Sequence, residues 1–325
     1  MSYFQRILKW VNKAPRDSGT ATLVSPASTP PNSVATKTPD PYIYQPQVAR
    51  VSFAEGVTAL QSQGYRVVPS PVDNTSTQSI ADIQSLAETV GIHFTPYTID
   101  IEAYRTYFQQ AGYDSQYGDY YRGNQPEKSL EHYLALQWLG LTAEDVFIDL
   151  ASEHSPVPAI YAKLTGATTY SQDIMYAPGI QGNQIGGDAC AMPVPDGFAT
   201  KATLTCSIEH FEGDGDTRLF QELARVLRPG GQVCVVPFYI YREAAAQTDP
   251  TISVPAAVQF DADATLYCAQ GWNNRHGRFY SPQSFLERIL NPVSDRFKFD
   301  FYYLQNPTEV DASVYVRFAF VATRI

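Results

Sequence analysis

The sequence lacks several features that mark particular protein classes. It has four cysteines and no C-x-x-C pair, and isolated cysteines favour free, buried thiols in a reducing compartment over disulfides or a metal site. No apolar run reaches the roughly 18 residues that a membrane span needs. The short apolar stretch at residues 7–11 is interrupted by charge, unlike a secretory leader. We therefore expect a cytoplasmic protein with no bound metal.

Basic residues are also scarce. The chain has 23 lysines and arginines against 33 aspartates and glutamates, a formal net charge of −10. Nucleic-acid binding depends on a basic surface that contacts phosphates, so we expect no nucleic-acid partner. Of the 325 residues 44% are hydrophobic, which is enough to bury the core of one α/β domain with appendages.

The first 47 residues differ in composition from the rest. Residues 1–13 place apolar side chains at helical spacing between basic ones, which is typical of a short basic amphipathic helix. Three alternatives stay open for such a helix: it docks on its own domain, it frays as a chain terminus, or it makes weak contact with a membrane surface. Residues 14–41 are rich in Ser, Thr and Pro and poor in large apolar residues, so they cannot offset the entropy of ordering and are predicted to be disordered.

The most informative stretch is ELARVLRPGGQVCVVPF at residues 222–238. Leu223, Val226 and Leu227 share one face of a helix, Pro-Gly-Gly ends it, and the apolar run that follows predicts a strand covered on both faces. Helices and strands alternate from Asp145 onward, which predicts a parallel sheet with crossover helices. The predicted strands are 146–150, 168–171, 184–185, 202–208 and 232–239, followed by an irregular insertion to about residue 280 and β-rich runs at 297–304 and 314–323. The predicted helices are 53–63, 79–90, 99–111, 126–139 and 282–290.

The E-x-x-R-V-L-x-P-G-G pattern in that stretch resembles a signature of class I S-adenosylmethionine (SAM) dependent methyltransferases. The resemblance extends over residues 126–325. It implies an α/β fold, with a doubly wound, Rossmann-like sheet, helices on both faces and a C-terminal antiparallel hairpin. It also implies SAM as the cofactor and a methyltransferase-like domain at 126–325. Before that domain, composition and periodicity predict a tail at 1–47 and a helical extension at 48–125, which we expect to cap the substrate region.

The same resemblance implies a cofactor loop after the first strand of the sheet. Asp149 matches the acid that opens the family's D-x-G-x-G-x-G loop, but the glycine positions fall on Ala151, Glu153 and Ser155. Glycine suits such a loop because the backbone approaches the cofactor closely and takes dihedrals that other residues avoid. Two alternatives stay open: a remodelled loop that still binds SAM, with Ala151 and Glu153 beside the cofactor, or a loop that has lost SAM.

Further cofactor residues are implied at later strand ends. Asp173 matches the family's acid for the two ribose hydroxyls, since two planar oxygens suit a vicinal diol; the alternative is an acid that stabilises a helix N-terminus. Asp188 and Ala189 match the G-D-A segment at the adenine ring. Ser207, in TCSIEHF, lies where the family lines the methyl-transfer centre.

One residue is a candidate for catalysis and seven are candidates for substrate binding. His210 is either a general base near neutral pH or a residue that caps the following helix. The substrate candidates come from a Tyr/Gly-rich loop at 112–125, of a kind that often contacts ligands, and from GWNNRHGRFY, whose basic and aromatic residues suit an anionic or glycosyl substrate. The alternative for the second segment is a solvated loop with arginines paired to acids. The seven residues are Tyr120, Tyr121, Trp272, Arg275, His276, Arg278 and Tyr280.

The sequence thus favours a SAM-dependent methyltransferase that acts on a small-molecule or glycan-like acceptor. The missing loop glycines keep a second hypothesis open, a methyltransferase fold that has lost catalysis and serves as a binding or scaffold protein. They also disfavour an NAD-dependent oxidoreductase, because its glycine fingerprint is absent.

Overall fold

The computed structural model describes residues 49–69, 73–118, 121 and 123–325. The predictions for residues 1–47 and for Tyr120 lie outside the described residues. Within them, the helices are α1 Phe53–Ser62, α2 Thr77–Glu88, α3 Ile101–Ala111, α4 Tyr113–Gln116, α5 Gln125–Leu139, α6 Val157–Thr165, α7 Gly215–Val226, α8 Pro250–Ser253 and α9 Pro282–Phe285. A π-helical turn, Leu286–Leu290, continues α9.

Local signals account for where several helices begin and end. Ser52 caps α1 in a capping box, in which the Ser52 side chain accepts from the Glu55 N–H and the Glu55 side chain accepts from the Ser52 N–H. Gly140 closes α5 with φ of 56°, a left-handed conformation that costs glycine little. The bounds of α1, α2, α3 and α5 agree with the sequence prediction to within two residues.

A nine-stranded sheet forms the centre of the molecule. Its strands are β2 Phe94–Tyr97, β3 Val146–Leu150, β4 Thr168–Asp173, β5 Gly179–Gln181, β6 Gln184–Gly186, β7 Ala199–Thr205, β8 Leu227–Val236, β12 Phe297–Leu304 and β13 Phe318–Arg324. Their order is β2-β12-β13-β8-β7-β3-β4-β6-β5, in which β6, β4, β3, β7 and β8 pair in parallel. β13 lies antiparallel between β8 and β12. The predicted doubly wound sheet and C-terminal antiparallel hairpin are confirmed.

Strand β8 explains why the sheet carries helices on both faces. Val233 and Val235 pack into a core cluster with α7, while Cys234 and Val236 pack into a second cluster with α3, α5 and α6. Successive side chains of a strand point to opposite faces, so a continuous apolar strand requires cover on both sides.

The Pro-Gly-Gly run is part of β8 and does not precede it. β8 begins at Leu227, directly after α7, and the pairing with β7 shifts register between Ala199 and Lys201. The backbone is crowded at Gly231, because a Cβ there would lie 2.8 Å from the Arg228 carbonyl oxygen. Glycine, which has no Cβ, fits this position. The predicted start of this strand at residue 232 was therefore late.

The insertion after β8 is ordered, which corrects the prediction of an irregular segment. With one strand from before residue 70 it forms a second, four-stranded sheet, whose strands are β1 Arg66–Val68, β9 Ala245–Thr248, β10 Thr265–Cys268 and β11 Gly277–Phe279. Their order is β1-β10-β9-β11, with β11 antiparallel to β9 and the other pairs parallel. Leu60, Phe260 and Leu266 lie in the core beneath this sheet.

Strands from the predicted helical extension pair with strands of the predicted methyltransferase-like domain. β1 pairs with β10, and β2 pairs with β12. Residue 125 is thus not a border between sheets, and the division into three regions stays a prediction. No helix in the described part of the chain is long and apolar enough to cross a membrane.

Candidate functional site

The loop between β3 and α6 has a left-handed backbone at two of the positions where glycine was expected. Ala151 has φ of 50° and Glu153 has φ of 47°, a conformation that costs a residue with a side chain roughly 1–2 kcal/mol. Two hydrogen bonds to β4 hold it: the Ala151 N–H donates to Gln172 Oε1 at 3.2 Å, and the Glu153 N–H donates to Asp173 Oδ2 at 2.8 Å. The loop therefore takes a glycine-type backbone without the glycines.

Asp149, which opens this loop, carries a buried oxygen that lacks a partner. Its Oδ1 accepts from the Thr203 hydroxyl at 2.8 Å, while Oδ2 is buried without a hydrogen bond. Burial raises the pKa of this carboxyl to about 6. A buried polar atom without a partner is costly, so Oδ2 is suited to accept from a donor that a ligand brings.

Asp173, at the end of β4, organises the loop. Its Oδ1 accepts from the Met175 N–H at 2.9 Å, and its Oδ2 accepts from the Glu153 N–H. The Tyr176 hydroxyl donates to the Glu153 carbonyl and lies 3.2 Å from Ser152 Oγ. Each carboxylate oxygen accepts more than one hydrogen bond, so a role toward the ribose hydroxyls is compatible with this loop role.

Asp188 and Ala189 follow β6 on the neighbouring loop. The Asp188 side chain is 49% exposed and lies 3.9 Å from the Arg218 guanidinium. Its Oδ1 accepts from the Cys190 N–H at 2.9 Å, and Ala189 is buried. An exposed carboxylate beside a buried alanine is suited to an edge-on contact with a planar group.

Gln172 joins these loops, and the sequence prediction missed it. Its buried side chain accepts from the Ala151 N–H and donates to the Gly187 carbonyl at 2.6 Å. It thereby links the loop after β3 to the loop after β6. The predicted strand ended at residue 171, one residue before Gln172, so the prediction did not place this polar side chain inside the buried strand.

The segment after β7 connects the main sheet to the second sheet. The His210 Nδ1–H donates to the His276 carbonyl at 2.6 Å, and the His276 Nδ1–H donates to the Glu209 carbonyl at 2.9 Å. His210 Nε2 lies 3.6 Å from Glu209 Oε1, and the His210 ring lies 5.9 Å from that of Trp272. Because Nδ1 donates, Nε2 of a neutral His210 is free to accept a proton. The base role of His210 stays a prediction.

The basic cluster at residues 275–280 is largely internal, which corrects the expectation of a basic substrate surface. Arg278 is 2% exposed, and its guanidinium contacts Asp261 Oδ2 at 2.8 Å and Asp216 Oδ2 at 3.3 Å. The Tyr280 hydroxyl donates to the same Asp216 oxygen at 2.8 Å. Arg275 pairs with Glu212. These side chains bind acids of the chain itself.

The substrate candidates Tyr121, Trp272 and His276 are also buried. Burial lowers the pKa of His276 to about 3, so this ring is neutral at physiological pH. Tyr121 is buried, with its ring 5.6 Å from that of His132. Trp272 is mostly buried against His210. Trp272, through its ring, and His276, through its backbone carbonyl, are the two substrate candidates that the described residues bring next to the candidate base.

A charged cluster on α5 was also missed. Glu127, Lys128, Glu131 and His132 interrupt a helix for which only apolar positions were used in the prediction, and all but Lys128 are fully buried. Four ionisable residues within six positions of a helix that packs on the sheet were the available signal. Among the described residues, no group of three or more His, Cys, Asp or Glu side chains is arranged to hold a metal ion.

Residues 149–235 match the family model described as a methyltransferase domain, while no curated protein matches the chain. Among solved structures, the chain is similar to the 1,6-didemethyltoxoflavin-N1-methyltransferase of Burkholderia thailandensis, with 12% identity over 70% of this chain and 90% of that one and a TM-score of 0.41. It is also similar to the PH0226 protein of Pyrococcus horikoshii OT3, with 15% identity over 69% and 97% and a TM-score of 0.36. A third is the geranyl diphosphate C-methyltransferase of Streptomyces coelicolor A3(2), with 12% identity over 60% and 75% and a TM-score of 0.37.

Proposed function

We propose, from the premise that residues 149–235 belong to the class I SAM-dependent methyltransferase family, that the protein methylates a small-molecule acceptor. SAM is the cofactor of this family. The residues implied to hold it are Asp149, Asp173 and Asp188, which lie at the ends of β3 and β4 and after β6. Ligands of doubly wound sheets bind at such carboxyl ends.

The observation that carries the proposal is the backbone of the loop after β3. Ala151 and Glu153 keep positive φ values although neither is glycine, and a non-glycine residue stays in that region only where its surroundings enforce it. The bond from the Glu153 N–H to Asp173 supplies this constraint and ties the loop to the predicted ribose acid. The unpartnered Asp149 Oδ2 fits a cofactor that brings a donor.

The ion pairs of the basic cluster at residues 275–280 favour a small acceptor over a glycan-like one. Arg275 and Arg278 are paired with acids of the chain, so they do not offer the guanidinium groups on which the glycosyl or anionic alternative depended. SAM, when bound, supplies a methyl group on a positively charged sulfur. The chain must then hold the acceptor in line and take its proton.

One observation favours the second candidate, a fold that binds partners without catalysis. Both oxygens of Asp173 already accept hydrogen bonds from the chain, so this residue has a structural role that needs no cofactor. The two candidate functions differ in one measurable property: the methyltransferase must bind SAM, whereas the binding or scaffold protein need not.

Substitution of the two acids tests the cofactor site. Asp173→Ala and Asp188→Ala are each expected to weaken SAM binding by about 1–3 kcal/mol, the scale of a lost hydrogen bond to a charged group. Asp173→Ala should also lower the melting temperature, because it releases the loop, whereas the half-exposed Asp188 should not. Calorimetric titration with SAM measures the first effect, and Asp263→Ala, at an exposed position in the second-sheet segment, is the control. Unchanged SAM affinity in both variants would contradict the placement of the cofactor.

A further inference from the structure

Gln172 lies inside the central sheet, at the last position but one of β4. Its side chain is fully buried, and β4 pairs with β3 on one side and with β6 on the other. The loops that follow β3 and β6 carry residues implied to hold the cofactor, so Gln172 lies between two cofactor loops. A buried polar side chain is costly without hydrogen-bond partners, and Gln172 finds its partners in these loops.

The carboxamide of Gln172 bonds to both loops at once. Its Oε1 accepts from the Ala151 N–H at 3.2 Å, and its Nε2 donates to the Gly187 carbonyl at 2.6 Å. These neighbours fix the orientation of the amide, because only its oxygen can accept from an N–H and only its NH2 group can donate to a carbonyl. Glutamate, which has the same length, would lack the donor, and methionine would lack both bonds.

Three consecutive N–H groups of the loop after β3 donate to the end of β4. The Ala151 N–H donates to the Gln172 side chain, the Ser152 N–H to the Gln172 carbonyl at 2.9 Å, and the Glu153 N–H to Asp173 Oδ2. Ala151 and Glu153 are the two residues with positive φ. A loop with glycine at these positions would need no such restraint, because glycine adopts this conformation at little cost.

The same strand end also holds the loop after β6, through Gly187. The Gly187 N–H donates to the Asp173 carbonyl at 3.2 Å, and its carbonyl accepts from the Gln172 side chain. Both backbone groups of Gly187 are thus bound by consecutive residues of β4. The next residue is Asp188, the acid implied at the adenine ring. The position of the adenine loop therefore depends on the same glutamine as the conformation of the loop after β3.

We propose that Gln172 is a positioning residue for the cofactor, whose carboxamide compensates for the missing loop glycines. It holds the loop after β3 in the glycine-type conformation, at a fixed place relative to the loop after β6. This inference rests on the proposed function and adds a residue that acts through the backbone of the two loops. It follows that Gln172 is needed while the loop carries Ala151 and Glu153, and that it matters little once glycines stand there.

A double-mutant cycle tests this dependence. Gln172→Met removes both hydrogen bonds at similar side-chain volume, and it is made in the wild-type chain and in a chain that carries Ala151→Gly and Glu153→Gly. Calorimetry of the full chains with SAM and with S-adenosylhomocysteine gives four affinities for each ligand. The ratio of affinities within each background separates the effect of Gln172 from the effect that the glycines have by themselves.

We expect Gln172→Met to weaken both ligands about tenfold in the wild-type background, the scale of one lost hydrogen bond. In the glycine background the loss should be less than about threefold, because glycine keeps the conformation without the restraint. Thr169→Val, at a buried polar position earlier in β4, is the control and should bind SAM as wild type does. If Gln172→Met does not fold, Gln172→Asn replaces it in the cycle, because its side chain is one methylene too short to span both bonds.

The outcomes distinguish the inference from the proposed function. An equal loss of affinity in both backgrounds, or no loss in the wild-type background, would overturn the role of Gln172 and leave the methyltransferase proposal intact. If no chain binds SAM or S-adenosylhomocysteine, the proposed function fails, and the melting temperatures of the same four chains decide the inference. A smaller decrease on Gln172→Met in the glycine background supports it, and an equal decrease in both backgrounds overturns it.

Discussion

At the scale of single residues, the burial of His276 makes the stability of the folded protein depend on pH. Its ring stacks on Phe260 with centroids 5.7 Å apart, its Nδ1–H donates to the Glu209 carbonyl, and its Nε2 is buried without a partner. Burial lowers the pKa of the ring to about 3, and the neighbouring Arg278 acts in the same direction. The folded protein therefore holds a neutral histidine that becomes charged only after unfolding.

This linkage predicts a loss of stability in mild acid. The folded pKa of His276 lies below the unfolded value of about 6.5, so between these values the unfolded chain binds a proton that the folded chain does not. The contribution is fully present above pH 6.5 and is lost as pH falls. Between pH 7.5 and pH 5 it removes about 2 kcal/mol from the free energy of unfolding.

Urea unfolding of wild type and His276→Asn at the two pH values measures this effect. Asparagine keeps a donor for the Glu209 carbonyl but has no titrating ring, so the variant should lose about 2 kcal/mol less than wild type. His93→Asn, at an exposed histidine, should lose as much as wild type. An equal pH dependence in wild type and His276→Asn would contradict the account.

The sequence placed Asp149 in the first strand of the sheet and Asp173 just after the second, and the structure has them in the last two positions of β3 and at the end of β4. Their cofactor roles stay predictions. The sequence did not reveal the buried side-chain oxygens of Glu127 and Glu209 that lack a hydrogen-bond partner. A missing partner depends on every element packed around a side chain, and no local pattern encodes it.

At the scale of elements, a buried ion network fixes the second sheet to the main domain. Arg278 on β11 contacts Asp216 on α7, and Arg288, on the turn after α9, donates to the same carboxylate at 2.6 Å. Asp261 contacts both arginines, at 2.8 and 3.3 Å. The network joins four separate segments of the chain: α7, the loop before β10, β11 and the turn after α9.

Breaking this network should be far more costly than breaking the neighbouring surface pair. Arg278→Met is expected to lower the free energy of unfolding by about 3–5 kcal/mol, because it leaves buried acids without their partner. Arg275→Met removes a pair whose arginine is 48% exposed, and such pairs contribute less than about 1 kcal/mol. Urea unfolding of the two variants measures the difference, and equal losses would show that the network does not anchor the second sheet.

The strands of the second sheet could not be predicted from the sequence. The helices α1, α2, α3 and α5 were placed within two residues, and the central strands near their observed positions, because they have clear periodicity and clear end signals. The helix α6 was not predicted. β1, β9, β10 and β11 have only three or four residues each, too few to establish a period. The pairing of β1 with β10 joins residues 66 and 265, so its stabilisation is entirely long-range.

At the scale of the whole molecule, the two sheets meet where the chemistry is proposed. The segment after β7 holds Ser207, Glu209 and His210, and it is tied to the second sheet by the reciprocal bonds between His210, His276 and the Glu209 carbonyl. α5 packs on β7 and β8 and contacts the same segment through the bond from the Cys206 thiol to Glu131. The second sheet and the charged residues of α5, which the sequence prediction did not place, thus both contact the segment that follows β7.

The central claim is that a loop without its glycines still binds SAM. Calorimetric titration of the wild-type protein and of Glu153→Gly with SAM tests it most directly. We predict that the wild type binds SAM in the micromolar to low millimolar range and that Glu153→Gly changes the affinity by less than about tenfold, or 1.4 kcal/mol, because the backbone at Glu153 already has the conformation that glycine would take. A wild type that does not bind millimolar SAM, together with a Glu153→Gly variant that does, would contradict the claim and favour the binding or scaffold role.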